Sequence, residues 1–183
     1  MDKDIQPILL ITEELLKLYS PFPENFETEA VIPFVNIAQK LFLEEVLGLP
    51  LVAELKVQIK DNDLTEENST LIVEIAPALS LYSYYEFLPF GWAKILNKSL
   101  TVKESENSKA VSISDMSQLR LIIKNDADVF LRKLIDFLCS CKENYPLWKP
   151  KDISICKCSC EDTEGTNIKG FDTGIYFKKK LIK

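Results

Sequence analysis

The sequence contains no histidine and only five glycines among its 183 residues. Histidine is the usual general base near neutral pH and a frequent metal ligand, so its absence excludes catalytic triads and histidine metal sites. No glycine-rich phosphate-binding motif is present, which disfavours nucleotide-dependent chemistry. We therefore expect a protein that is not an enzyme, with no catalytic residue, no bound cofactor and no metal site.

Long apolar runs are also missing, because no stretch reaches the ~18 residues that cross a bilayer. The N-terminal sequence MDKDIQPILLITEELL has acids on both sides of a short apolar run and no small-residue cleavage site. We expect no signal peptide and no membrane contact. We therefore expect the protein to fold in a reducing cytoplasm, where its five cysteines would stay free thiols.

Positive charge is scarce, with 22 lysines and arginines against 28 acids and a net charge of −6. Residues 147–183 hold eight lysines and five acids, a net charge of +3, which leaves −9 on the first 146 residues. An acidic body is unsuited to neutralising phosphates, so the balance argues against a nucleic-acid binder. Contact with acidic protein surfaces or with like neighbours fits the basic tail better.

The residues that are present predict a mainly α-helical bundle of about five helices, because apolar side chains recur every three or four positions. The predicted helices span about 13–19, 28–47, 50–60, 66–97 and 114–143. Thr12 and Thr65 are suitable N-caps. The helix near 66–97 contains Pro77 and Pro89, which should kink or split it.

Two predicted helices have a clear apolar face that we expect to be buried. In the helix near 28–47 this face consists of Val31, Phe34, Val35, Ala38, Leu41, Phe42 and Val46. In the helix near 114–143 it consists of Leu119, Ile122, Ile123, Ala127, Phe130, Leu131, Leu134, Phe137, Leu138 and Cys141.

Six aromatic residues lie within residues 82–92. At 100° per residue they cannot all face one side of a helix. Either the helix is buried all round at the centre of the bundle, or it carries an aromatic face that a partner subunit covers. The candidates for such an assembly interface are Tyr82, Tyr85, Phe87, Phe90 and Trp92.

Residues 98–113 are polar with a short β-prone piece at each end, which predicts a long loop or a projecting hairpin. The helical domain, residues 1–148, is followed by a tail, residues 149–183, with two runs of period two that predict an extended segment or hairpin. Two strands alone are marginal in water, so we expect the tail to dock on another subunit. Its candidate contact residues are Ile153, Ile155, Ile175, Phe177, Lys178, Lys179 and Lys180.

The cysteines lack the CxxC spacing of a zinc knuckle. They are Cys139, Cys141, Cys156, Cys158 and Cys160. Reduced, partly buried thiols are the simplest interpretation, and the sequence leaves their role open.

An ordered series of segments is ITEELLKLYSPFPENF, AQKLFLEEVLG, LTEENSTL, PALSLYSYYEFLPFGWAKILNKS, SENSKAV and YPLW. This series, from about Ile8 to Trp148, resembles a family of small helical proteins encoded in the structural-gene blocks of the crAss-like tailed phages of gut Bacteroidetes. That family is similar in helix order to the head–tail connector proteins, also called adaptor or head-completion proteins.

The resemblance implies a ring, usually of twelve copies, that assembles in the host cytoplasm and lies at the head–tail junction of the virion. The ring's partners are the portal protein and downstream neck or tail proteins, and DNA passes through it without sequence-specific binding. The resemblance implies no catalysis. A small soluble helical adaptor or regulatory protein, possibly binding metal through its C-terminal cysteines, is the other hypothesis.

Overall fold

The computed structural model describes residues 7–22, 26–96, 99–102 and 113–150. These residues form a mainly α-helical bundle with one short hairpin. The elements are α1 (Glu13–Tyr19), α2 (Thr28–Ala38), a π-helical turn (Gln39–Leu43), α3 (Glu44–Leu47), α4 (Leu49–Asp61), α5 (Glu66–Trp92), β1 (Ala93–Leu96), β2 (Ser99–Val102), α6 (Ile113–Ser140) and a 3₁₀ turn (Lys142–Asn144). Because α2, the π turn and α3 follow one another directly, the described residues contain five helices, which confirms the predicted bundle.

Side-chain caps begin two of these helices at the predicted residues. The Thr12 hydroxyl accepts a hydrogen bond from the Leu15 amide at 3.3 Å, and the Thr65 hydroxyl accepts one from the Asn68 amide at 3.2 Å. Each bond satisfies an amide that has no carbonyl partner in the first turn of a helix. The C-terminal end of α4 is set by Asn62, which adopts a left-handed conformation with φ of 55° and stops the helix.

Gly48 separates α3 from α4 in a conformation that other residues rarely adopt, with φ of 77° and ψ of 146°. A Cβ at this position would collide with the backbone carbonyl oxygen of Lys149. Glycine therefore meets two requirements here, a positive φ and the close passage of a second backbone segment.

Helix α5 differs from its prediction at two points. It continues without a break through Pro77 and Pro89, so the predicted split does not occur. It also ends at Trp92 instead of near residue 97. The packing of α1, α2 and α6 against α5 provides the stabilisation that a proline removes from an isolated helix.

The residues after Trp92 are extended because they pair with a second strand. Strands β1 and β2 are antiparallel, with Ala93 opposite Val102 and Leu96 opposite Ser99. The first of the two β-prone pieces predicted in the 98–113 loop, residues 100–102, thus belongs to β2. Of the remaining residues of that loop, 98 and 103–112 lie outside the described part of the chain.

The core surrounds α5, which contacts α1, α2, the π turn and α6. In its middle, buried residues follow one another along the chain: Ala76, Ala78, Leu79, Ser80, Tyr82 and Ser83. At 100° per residue these six side chains cover an arc of roughly 200° around the helix, wider than the stripe of a helix that packs on one neighbour. The structure therefore favours the first interpretation of the aromatic helix, as the centre of the bundle.

The segment before α1 is anchored by a buried glutamine at the π-helical turn. The Gln39 side-chain oxygen accepts a hydrogen bond from the Leu10 amide at 2.9 Å, and its amide group donates to the Ile8 carbonyl at 3.4 Å. Gln39 is fully buried. Its amide pairs with the extended segment much as a neighbouring strand would.

The segment after α6 is anchored through two aromatic side chains. The Tyr145 hydroxyl donates to the Glu67 carbonyl oxygen at 2.7 Å, in the first turn of α5. The Trp148 indole donates to the Val46 carbonyl oxygen at 2.9 Å, at the end of α3. Both side chains are buried, so this segment belongs to the helical body.

Candidate assembly surfaces

Tyr82 lies inside the core and is only 1% exposed. Its ring stacks on Phe42 from the π turn, with ring centroids 4.0 Å apart and planes within 5°. Its hydroxyl donates to the Asp128 carboxylate on α6 at 2.5 Å. Although the sequence marks Tyr82 as an assembly candidate, the structure places it where a second subunit cannot contact it.

Tyr85 and Phe87 are half-buried by contacts within the subunit. The Arg120 guanidinium lies 4.1 Å from the centre of the Tyr85 ring, and its Nε donates to the Tyr85 carbonyl oxygen at 3.2 Å. The Phe87 ring meets Phe22 and Phe34 edge to face. Contacts within the subunit therefore cover most of the apolar surface of both side chains.

Among the candidates whose side chains the structure describes, Phe90 is the exposed one, at 54%. Its ring lies 5.3 Å from Phe34 on α2. Ile37 and Leu41 follow Phe34 at helical spacing, and both are exposed. We call these four residues the Phe90 surface.

A second apolar surface lies on α6. Leu119, Ile122 and Val129 are exposed, and their spacings of three and seven place them on one side of the helix. We call these three residues the α6 surface. The predicted burial of Leu41, Leu119 and Ile122 is wrong, because the apolar stripe on each helix is wider than the strip that its neighbours cover.

The two surfaces belong to different helices. Helices α2 and α6 both pack against α5, where Phe34 on α2 contacts Phe87 and Arg120 on α6 contacts Tyr85. The subunit therefore has two exposed apolar ridges, one on α2 and one on α6.

The other predicted contact residues lie outside what the structure describes. For Trp92 the structure describes the backbone but not the side chain. The tail candidates lie entirely outside the described residues: Ile153, Ile155, Ile175, Phe177, Lys178, Lys179 and Lys180.

The charged groups near α6 form a structural network around Asp128. Burial alone would raise the pKa of the Asp128 carboxyl, but hydrogen bonds from Tyr82 and Lys124 outweigh it and lower that pKa. Burial, reinforced by the hydrogen bond to Asp128, raises the pKa of the Tyr82 hydroxyl well above its ordinary value. Arg132 Nε also donates to the Asp128 backbone carbonyl at 3.2 Å. The network holds α6 against α5, and its carboxylate is already occupied by two donors.

Cys139 is disulfide-bonded, and Cys141 carries a free thiol. The expectation of five free cysteines is therefore wrong at Cys139. Within the described ranges, no group of three or more cysteine, aspartate or glutamate side chains is placed to hold a metal ion. Cys156, Cys158 and Cys160 lie beyond those ranges.

None of the helices that the structure describes is both long enough and apolar enough to cross a membrane.

The residues of the assembly surfaces that sequence reasoning missed are Ile37, Leu41, Leu119, Ile122 and Val129. The available signal was the width of the apolar stripe. Leu119 and Ile122 extend the α6 stripe beyond its buried residues, Ile123, Ala127, Leu134 and Leu138. A stripe wider than about 100° exceeds what one neighbouring helix covers.

Comparison with known protein families gives a match over much of the chain. Residues 43–157, more than half of the chain, match the model of DUF6712, described as a family of unknown function. The matched range begins at the π turn and includes the contacts of Trp148 with Val46 and of Tyr145 with Glu67. No curated protein and no solved structure matches the chain.

Proposed function

Because the chain belongs to the DUF6712 family, whose function is unknown, we propose a function from its own surfaces: a structural subunit of a phage neck ring. Each copy binds the next through two different surfaces, and the resulting ring lies between the portal protein and the phage tail. The ring extends the DNA channel and provides a docking platform for downstream neck or tail proteins.

The observation that carries this proposal is the presence of two exposed apolar ridges on one small subunit, one along α2 and one along α6. When a surface binds a different surface of the next copy, the contact is heterologous, and repeated contacts close into a ring if the rotation permits. The Phe90 surface and the α6 surface are both helical ridges of bulky side chains. Such ridges pack into the grooves of a facing helix.

Charge supports the passage of DNA without binding. The first 146 residues carry a net charge of −9. A channel built from this body repels phosphates instead of neutralising them, so the DNA slides through. The assignment to a phage neck comes from the resemblance of the segments between Ile8 and Trp148 to the crAss-like family.

The test is the mass of the full-length protein, measured by light scattering and electron microscopy with and without a portal protein. We expect rings, either of the protein alone or on the portal. Replacing Leu119→Lys together with Ile122→Lys should abolish assembly and leave the circular dichroism spectrum unchanged, because desolvating two charges in an apolar contact is costly.

The matched control is Leu121→Lys. Leu121 is 58% exposed, against 57% for Ile122, and lies on the same helix. At about 100° per residue, however, its side chain points roughly 160° away from that of Leu119 and roughly 100° away from that of Ile122, the two residues replaced in the double variant. This variant should still assemble. A protein that stays monomeric with the portal and holds one zinc ion per chain would contradict the proposal and favour a metal-binding adaptor.

A further inference from the structure

The hairpin after α5 is a sheet of two strands within the described residues. Each strand has four residues, and every second residue of an antiparallel strand directs its backbone amide and carbonyl away from the partner strand. A hairpin of this size is marginal in water on its own. Its outer edges are therefore positions where a third strand would add hydrogen bonds.

The hairpin and the point where the tail leaves the body lie at opposite ends of α5. The hairpin follows the C-terminal end at Trp92. The last described segment lies at the N-terminal end, where Tyr145 bonds the Glu67 carbonyl oxygen. A helix of 27 residues is about 40 Å long at 1.5 Å per residue.

The tail supplies a strand-forming segment with enough chain before it to cover that distance. Residues 175–181 read IYFKKKL, in which β-branched and aromatic residues favour an extended strand. Counted only from Cys160, the last cysteine of the chain, the 15 residues to Ile175 span up to about 50 Å when extended. The segment can therefore reach beyond the end of its own subunit.

We propose that residues 175–181 of one copy add as a strand to the outer edge of the β1–β2 hairpin of the next copy. The inference rests on the proposed function, because it needs a neighbouring copy. The hairpin begins three residues after Phe90, so a neighbour that covers the Phe90 surface lies beside the hairpin. To reach its own hairpin, the tail would have to run back along the length of the body, past the surfaces on α2 and α6 that the neighbours cover in the ring.

The experiment uses the full chain with a photo-crosslinking residue, Leu100→benzoyl-phenylalanine, in β2. Equal amounts of protein labelled with ¹⁴N and ¹⁵N are mixed, unfolded, refolded together and irradiated. Mass spectrometry then identifies the crosslinked peptide and the isotope of each chain. We expect residues 175–181 of one isotope crosslinked to residue 100 of the other.

Two paired variants test strand addition without relying on the crosslinker position. Lys178→Pro with Lys179→Pro blocks pairing in either register, because adjacent residues direct their amides to opposite edges. Lys178→Ala with Lys179→Ala removes the same two charges and keeps both amides. We expect the proline pair to lower the yield of mixed-isotope crosslinks by roughly tenfold or more and the alanine pair to change it little.

Crosslinks confined to chains of one isotope would show pairing with the subunit's own hairpin and overturn the inference. An absence of crosslinks to residues 175–181 would also overturn it. Rings without mixed-isotope crosslinks would leave the proposed function standing, whereas mixed-isotope crosslinks in open chains that never close would contradict the ring and support the strand exchange.

Discussion

The indole N–H of Trp148 donates a hydrogen bond to the backbone carbonyl oxygen of Val46, a residue 102 positions earlier in the chain. The same segment brings the Lys149 backbone against Gly48. Together these contacts fasten the end of the helical body to the junction of α3 and α4. The body is therefore closed before the tail begins.

Truncation after Pro150 should leave the fold intact, whereas truncation after Asn144 should destabilise it. The shorter chain loses the buried Tyr145 and Trp148, and removal of one large aromatic side chain from a core costs about 3–5 kcal/mol. Urea unfolding of chains 1–183, 1–150 and 1–144 measures this, with reductant in all samples because Cys139 is disulfide-bonded. If chain 1–150 unfolds, the tail is part of the subunit's own core.

Gly48→Ala should lower the free energy of unfolding by about 2–4 kcal/mol, because alanine combines a strained positive φ with a clash against the Lys149 carbonyl. Leu49→Ala is the control. Leu49 is the next residue and is exposed, so its truncation should cost less than about 0.5 kcal/mol. Equal melting temperatures for the two variants would contradict this account of Gly48.

Gln39→Met should release the segment before α1, because methionine keeps the volume of the side chain but makes neither of its hydrogen bonds. Loss of the bonds to Ile8 and Leu10 inside the core should cost about 1–3 kcal/mol. Hydrogen exchange should accelerate at the Leu10 amide. Unchanged protection there would show that side-chain packing alone holds the segment.

Tyr82→Phe should destabilise the protein at neutral pH by about 1 kcal/mol, since its hydroxyl bonds a carboxylate that is partly exposed. The pKa of Tyr82 is raised on folding from an ordinary value of 10.0, so its contribution is complete below pH 10 and is lost as the pH rises. The pKa of Asp128 is lowered from 3.8, so its contribution is present above that pH and is lost in acid.

The difference in unfolding free energy between wild type and Tyr82→Phe should therefore be constant from pH 5 to 9 and shrink beyond pH 10 and below pH 3.8. Chemical denaturation across this pH range provides the measurement. Tyr85→Phe is the control, because it removes a hydroxyl from the same helix without removing a hydrogen bond to a described residue. A pH-independent difference would mean that Tyr82 acts through packing alone.

Local features of the chain determined the helices and several of their ends. The caps at Thr12 and Thr65 and the turn at Asn62 depend on contacts within four residues, and such contacts can be read directly from the sequence. The apolar period likewise identified the buried faces around Val35 and Leu134.

Tertiary structure alone decided the contacts between distant segments and the positions left exposed. The bond from Trp148 to Val46, the bond from Tyr82 to Asp128 and the pairing that ends α5 at Trp92 all join segments whose proximity depends on the whole fold. The exposure of Leu41 and Ile122 depended in the same way on how much of each apolar stripe a neighbouring helix covers. The sequence specifies the stripe, because helical geometry is local, but the packing of α2 and α6 on α5 determines which part of it faces outward.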